Sequence, residues 1–173
     1  NAIGLSGCDA SVIKAERRSP KLLSDGVTLV DYGFVGDVKP ESVNTAFLQS
    51  LFDLGLVPVL CAINHDGKGQ LLNTNADTIA SETAKALAPY YDVTLTFCFE
   101  KKGVLANPDD DDSVIPVITP QLFRKYVADG TISGGMMPKI ENSLAALNAG
   151  VKQVVITKAD TLGSQTGTKI LAD

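Results

Sequence analysis

Three polar side chains at alternate positions, Asn73, Asn75 and Asp77, lie in the stretch Leu71-Leu72-Asn73-Thr74-Asn75-Ala76-Asp77. Ile79, Ala80, Thr83, Ala84 and Leu87 then recur at helical spacing. This predicts a helix with Asn73 and Asn75 in its approach and Asp77 in its first turn. Carboxamides there can orient a polar ligand, and a carboxylate can hold cationic side chains in place. A plain N-cap followed by an Asp that the helix dipole favours meets the same spacing, and on local grounds it is the preferred reading. A second candidate is Lys139, in Gly134-Gly135-Met136-Met137-Pro138-Lys139. A lysine about one turn into a helix sits near the positive end of the macrodipole, where several tenths of a kcal/mol disfavour it unless an anion lies beside it. On a helical wheel it points roughly a third of a turn from the apolar stripe, toward solvent or a cleft. The two glycines leave backbone N–H groups accessible to phosphate. A solvated lysine after a flexible loop accounts for the segment equally well.

The elements that position these residues follow from periodicity. Val93, Leu95, Phe97 and Phe99 alternate with Thr94, Thr96 and Cys98, a strand signature that ends in Glu100-Lys101-Lys102-Gly103-Val104. Ligands of doubly wound sheets bind beyond the carboxyl ends of strands, so this corner suits a nucleotide, and it also reads as a plain turn. Asn1 to Leu5 and Ser11 to Ala15 predict short strands around a tight turn at Gly7 and Asp9. Asp31 to Val38 predicts a hairpin or bulged ribbon, as an edge or as a lid. Pro40 and Ser42 predict the start of a helix with Val43, Phe47, Leu51 and Leu54 on its apolar face and Gly55 at its end. Val57 to Ile63 predicts a strand buried on both faces.

Farther on, Val114 to Ile118 predicts a strand, Thr119 and Pro120 a capped helix ending at Gly130, and Met137, Ile140, Leu144 and Leu147 the face of another helix stopped by Gly150. Val151 to Thr157 and Gly163 to Ile170 complete the set as a buried strand and a terminal turn with a short strand. Strands and helices alternate without internal repeat, which predicts an α/β; three-layer α/β/α sandwich with a largely parallel sheet.

Composition narrows the function. The chain has 173 residues, 45% hydrophobic and 20% charged, enough for one sizeable globular domain. A net charge of −5 without a Lys/Arg-rich run gives no footprint for nucleic acid or an anionic membrane. No apolar run has the length of a bilayer span, and a cytoplasmic protein is expected. Cys8, Cys61 and Cys98 are far apart with only His65 as an imidazole partner, so they are expected as buried small apolar residues, and His65 as a surface loop residue. The run Asp109 to Asp112 reads as a solvated loop, not a calcium site, and no metal site is assigned. P-loop, protein-kinase, G-x-S-x-G and H-E-x-x-H motifs are absent. What remains suits holding a phosphoryl donor beside a small polar acceptor.

The combination Leu72-Asn73-Thr74-Asn75-Ala76-Asp77, Lys102-Gly103-Val104 after a strand, and Gly135-Met136-Met137-Pro138-Lys139 resembles the acetylglutamate kinases of the amino acid kinase family. Gly4-Leu5-Ser6-Gly7-Cys8-Asp9, Gly33-Phe34-Val35-Gly36-Asp37 and Thr166-Gly167-Thr168 match in order and spacing. The resemblance implies an amino acid kinase (carbamate kinase-like) fold, with residues 1–173 as one domain, N-terminally incomplete, and residues 60–173 as mainly its nucleotide-binding lobe. It implies a preceding segment with a Lys-x-Gly-Gly strand end, a His-Gly-Gly-Gly loop and an arginine for the substrate carboxylate. Departures fall at Cys8-Asp9-Ala10, where Asp-Gly is common, and at Glu100-Lys101-Lys102, where an Asp-containing corner is usual.

By position, the resemblance assigns Asn73 and Asn75 to the amino-acid substrate, Asp77 to organising the catalytic lysines, and Lys139 to charge on the transferred phosphoryl group. Glu100, Lys101, Lys102, Gly103, Val104 and Leu105, with Thr131, Ile132 and Ser133, would flank ATP. Mg2+ would be bound through the nucleotide. The expected reaction is phosphorylation of the γ-carboxylate of an N-acyl-L-glutamate in arginine biosynthesis, by a homodimer, with this fragment alone inactive. Alternatives are a kinase for another N-acylated acidic amino acid, such as N-succinylglutamate or an aminoadipate derivative, and a non-catalytic ligand-sensing module.

Overall fold

The computed structural model describes residues 1–163 and 166–172; Ser164 and Gln165, inside the predicted terminal turn, lie outside the described residues. The chain divides into two compact units, Asn1–Ala86 and Leu87–Asp173.

In the first unit β1 (Ala2–Leu5) leads into a turn closed by Asp9, whose carboxylate accepts from the Ser6 N–H and hydroxyl at 2.7 and 2.8 Å. Those bonds, the backbone one foremost, hold the Asp9 carboxyl below the usual carboxylate range. Gly7 is obligatory here, because a Cβ would collide with the Asn64 side chain and the Ile13 carbonyl. The predicted strand Ser11 to Ala15 is replaced by a 3-10 turn over Asp9–Ser11, with Ser11 at φ 50°, followed by isolated bridges from Ile13 to Val43 and Lys14 to His65. A left-handed residue cannot continue a strand.

The next four strands form an antiparallel arm. β2 (Glu16–Arg17) pairs with β5 (Gly36–Asp37), and between them β3 (Lys21–Leu22) pairs with β4 (Leu29–Val30). The predicted ribbon at Asp31 to Val38 is therefore the returning leg of a longer arm. Arg18 grips Asp37 through Nε at 3.0 Å and Nη2 at 2.5 Å, and the Arg17 and Arg18 guanidiniums lie over the Phe34 and Tyr32 rings.

Pro40–Ser42 forms a separate 3-10 turn, and α1 (Thr45–Asp53) starts later than predicted, where the Asn44 side chain accepts from the Phe47 N–H at 3.1 Å. Its buried residues are Leu48 and Leu51, while Leu54, placed on the apolar face by spacing, is 73% exposed beside the left-handed Gly55. The apolar run that follows splits into β6 (Val57–Leu60), parallel to β1, and β7 (Ile63–His65), antiparallel to β8 (Leu71–Asn73). It is not buried on both faces. α1 packs against β6, and alternation leaves Val57 and Val59 projecting outward, 60% and 53% exposed. His65 is a strand-end residue, not a loop residue: Nδ1 accepts from the Gly67 N–H and Nε2 is buried. α2 (Ala76–Leu87) follows β8.

The second unit is built on a mixed sheet of β9 (Thr94–Phe99), β10 (Val117–Ile118), β11 (Gln153–Lys158) and β12 (Thr168–Ile170), in the order β10-β12-β11-β9. β9 runs parallel to β11 and β10 parallel to β12, whereas β11 and β12 are antiparallel. α3 (Pro120–Ala128), capped by Thr119, packs on β10, and α4 (Met136–Asn148) packs on β11 and β12. Helix α4 buries Ile140, Ser143, Ala146 and Leu147, so the small Ser143 takes the buried place that periodicity gave to Leu144. With parallel pairs in both units and helices between strands, the predicted α/β class holds. No described helix is long and apolar enough to cross a membrane.

The three cysteines are exposed, contrary to the expectation of buried thiols. Cys98 alternates with the inward Phe97 on β9, which lies at the end of the four-strand order, and Cys61 follows the half-covered β6.

Candidate functional site

Beyond the carboxyl end of β9 the chain turns inward: Gly103, Val104 and Leu105 are buried. Thr168 fixes this corner. Its hydroxyl accepts from the Val104 N–H at 2.8 Å and donates to the Ile115 carbonyl at 2.7 Å. Gly103 permits the approach, since a Cβ there would lie 2.8 Å from both Thr168 Oγ1 and Val114 Cγ1. The loop after α3 is set by the left-handed Gly130, by the Asp129 carboxylate accepting from the Thr131 N–H at 3.0 Å, and by Ile132 N–H donating to Tyr126 O. The bonds from Thr131, that of its side chain foremost, hold the Asp129 carboxyl below its ordinary range.

Together these segments enclose a hollow of about 180 Å³ lined by Lys101, Gly103, Val104, Leu105, Thr131, Ile132 and Ser133, with Pro108 and Met136. Seven of the nine residues singled out as flanking ATP thus meet in one place. Glu100 lines an adjoining depression with Cys98, Phe99, Lys101, Gly103, Met136 and Lys139, and Lys102 lines neither. Lys102 donates to Asp112 and Lys101 to Asp111, both at 2.7 Å. These hydrogen bonds raise both lysines above their ordinary range and lower Asp111. The acidic run is exposed as expected for a solvated loop, but two of its carboxylates fasten that loop to the lysine corner.

Lys139 lies in the first turns of α4, where it is half-buried, and its Nζ rests 3.4 Å from the Phe99 ring centroid. Such a contact is worth about 0.5–2 kcal/mol, rising with desolvation. Phe99 in turn stacks on the buried Phe97, with centroids 6.2 Å apart and planes 18° from parallel. Sequence reasoning used Phe99 only as part of an alternating apolar pattern; no local signal pairs it with a lysine forty residues away. Thr168, Pro108 and Met136 were likewise outside the site as read from sequence.

The acceptor candidates belong to the first unit. Asn75 is the N-cap of α2: its Oδ1 accepts from the N–H groups of Asp77 at 2.8 Å and Thr78 at 3.3 Å. The capping reading is therefore realised, and Asp77 sits half-buried in the first turn. Asn73 is exposed, with its N–H donating to Phe34 O. Beneath them Thr74 donates to Gly36 O at 3.0 Å and accepts from the buried Asn64 amide at 2.9 Å, which locks the strand end between Asn73 and Asn75. Among the described residues no cluster of three or more His, Cys, Asp or Glu side chains suits a metal ion.

A mixed sheet with helices packed on it, a hollow past the end of β9, glycine corners and a lysine at a helix start place the chain in the α/β class, and the chain belongs to the amino acid kinase family, which residues 1–158 match. Its relatives include the acetylglutamate kinase of Phocaeicola vulgatus, 59% identical over 170 residues that cover 98% of this chain and 63% of that protein. The acetylglutamate kinase of Bacteroides thetaiotaomicron is 56% identical with the same coverage. The chain thus spans about 63% of the length of these curated relatives. Among solved structures, a Streptococcus mutans protein is 31% identical with a TM-score of 0.72, covering 99% of this chain and 61% of that one. Carbamate kinase from Giardia lamblia, at 16% identity and a TM-score of 0.64 over 100% of this chain and 63% of that one, shares the fold. The expected carbamate kinase-like fold is borne out.

Proposed function

We propose that this chain carries the nucleotide-side portion of an ATP-dependent N-acyl-L-glutamate 5-kinase, a homodimeric cytoplasmic enzyme of arginine biosynthesis. The observation that carries the reading is the hollow lined by the apolar Val104, Leu105 and Ile132 together with the polar Lys101 and Ser133, next to the depression that holds Lys139. The chemistry of these side chains fits ATP: apolar walls take a heteroaromatic base and the Lys139 ammonium takes phosphate. The name acetylglutamate kinase, borne by relatives 59% and 56% identical, points to the acceptor.

In this reading the nucleotide-binding lobe, expected over residues 60–173, includes the second unit, Leu87–Asp173. ATP supplies the γ-phosphoryl group, with Mg2+ accompanying its phosphates. Lys139 neutralises charge developing on the transferred group, and residues 103–105 and 131–133 flank the nucleotide. Asn73 holds the amino-acid acceptor, Asn75 sets the direction of α2, and Asp77 organises cationic groups. The γ-carboxylate of an acylglutamate is already ionised at neutral pH, so no general base is needed; catalysis consists of positioning and charge neutralisation.

The test is ADP release by the native enzyme with N-acetylglutamate, N-succinylglutamate and an aminoadipate derivative as acceptors. A Lys139→Ala variant is expected to lose about two to three orders of magnitude in kcat with its fold intact. Near-wild-type turnover would refute the role of Lys139, and turnover with no acyl acceptor would refute the reaction.

A further inference from the structure

We propose that Phe99 is the positioning residue for Lys139: its ring face carries the ammonium and aims it into the depression beside the nucleotide hollow. The inference rests on the proposed nucleotide reading and adds a residue to it. Lys139 lies near the N-terminus of α4, where the helix dipole repels a cation, and its half-buried stem leaves it little bulk solvent. The π-face of Phe99, 3.4 Å away, offsets this penalty. A carboxylate in that place would neutralise the ammonium and compete with phosphate. An aromatic face holds the cation without spending its charge, so the lysine stays available to an anion.

The ring is well placed to act as such a perch. Phe99 is the last residue of β9, paired in register with Lys158 on β11, and its ring is backed by the buried Phe97. Phe99 and Lys139 line the same depression, together with Lys101 and Gly103, which also border the apolar hollow. The contact thus sits on the side where phosphates would emerge from a base held by Val104, Leu105 and Ile132.

The test compares binding of magnesium–ATP and of adenosine to the native enzyme by isothermal titration, in wild type, Phe99→Leu, Phe99→Tyr, Lys139→Ala and the double variant Phe99→Leu/Lys139→Ala. Leucine keeps an apolar strand end but has no π-face. The expected result is that Phe99→Leu weakens ATP about fivefold, leaves adenosine unchanged, is restored by Phe99→Tyr, and adds nothing when Lys139 is already alanine. Equal weakening of ATP and adenosine would overturn the proposal, because the ring would then act only as packing. Unchanged ATP affinity in Phe99→Leu would overturn it as well. If wild type binds neither ligand, the nucleotide reading itself fails and takes the proposal with it, an outcome recognisable because it precedes any change at Phe99.

Discussion

Thr168 and Val104 are joined by a buried hydrogen bond: the Thr168 hydroxyl accepts from the Val104 N–H at 2.8 Å while donating to the Ile115 carbonyl at 2.7 Å. One side chain from β12 therefore satisfies a backbone N–H of the segment that walls the hollow and the carbonyl of Ile115. Thr168→Val leaves both groups buried without partners, at about 1–3 kcal/mol each. Urea unfolding should show a loss of about 2–6 kcal/mol, and Thr168→Ser should recover most of it. A loss under about 0.5 kcal/mol would mean that water reaches the corner.

The two carboxamides near α2 should separate cleanly. Asn75→Ala removes the N-cap and should cost about 1 kcal/mol, while Asn75→Asp keeps an acceptor oxygen and most of the stability. Asn73→Ala removes an exposed side chain and should change stability by less than about 0.5 kcal/mol, yet raise the KM for the acyl acceptor in the native enzyme. Melting curves and acceptor kinetics on the same variants check both halves.

Two glycines at the site should respond in opposite ways. Gly103→Ala places a methyl 2.8 Å from Thr168 Oγ1 and Val114 Cγ1, and overpacking of this kind costs about 1–3 kcal/mol. Gly135, with φ −67° and open space around its Cβ position, should accept alanine with a neutral to slightly stabilising effect of up to about 1 kcal/mol. Thermal unfolding of the pair distinguishes close approach from simple backbone freedom.

The lysine clamp has a defined pH window. Asp111 is held below its ordinary 3.8, chiefly by the hydrogen bond from Lys101, so its contribution is present above that value and lost as pH falls through the lower folded value. Lys101 is held above 10.5 by the same bond, so its contribution is present below that value and lost as pH rises through the higher folded one. The clamp is therefore closed between about pH 4 and 10. Carboxyl carbon NMR should show Asp111 titrating at a higher pH in Lys101→Gln than in wild type. High salt should shrink the difference, since the pair is solvent-exposed.

How much of this was legible in the sequence depended on the range of the forces involved. The helix at Ala76 and its Asn75 cap, the β9 alternation and the Gly103 corner are local, and spacing alone located them. The 3-10 turn over Asp9–Ser11 and the late start of α1 were not legible, because short turns compete with strands and helices by fractions of a kcal/mol. Burial of Val57, Val59, Cys61 and Cys98 was misread for a different reason: an apolar run shows what a strand can bury, not how many layers cover it. At the site, one backbone segment and its neighbouring loop could be named, but the Phe99–Lys139 and Lys102–Asp112 contacts are tertiary and leave no mark on adjacent positions.

The arm between Glu16 and Asp37 has a bearing on how related chains should be aligned. Among the described residues its outer strands β3 and β4 pair with each other alone, and its tip is closed locally, with Leu23 N–H donating to Thr28 O and Asp25 bound by Val27 and Thr28. Leu22, Val27 and Leu29 are more than half exposed there. A tip closed by its own hydrogen bonds can gain or lose residues for little more than loop-closure entropy, about 0.6 kcal/mol per doubling of loop length. Gaps and length drift among homologues should therefore gather around Ser24 to Gly26, and the phylogenetic signal should be read from the anchored base at Arg18 and Asp37 instead.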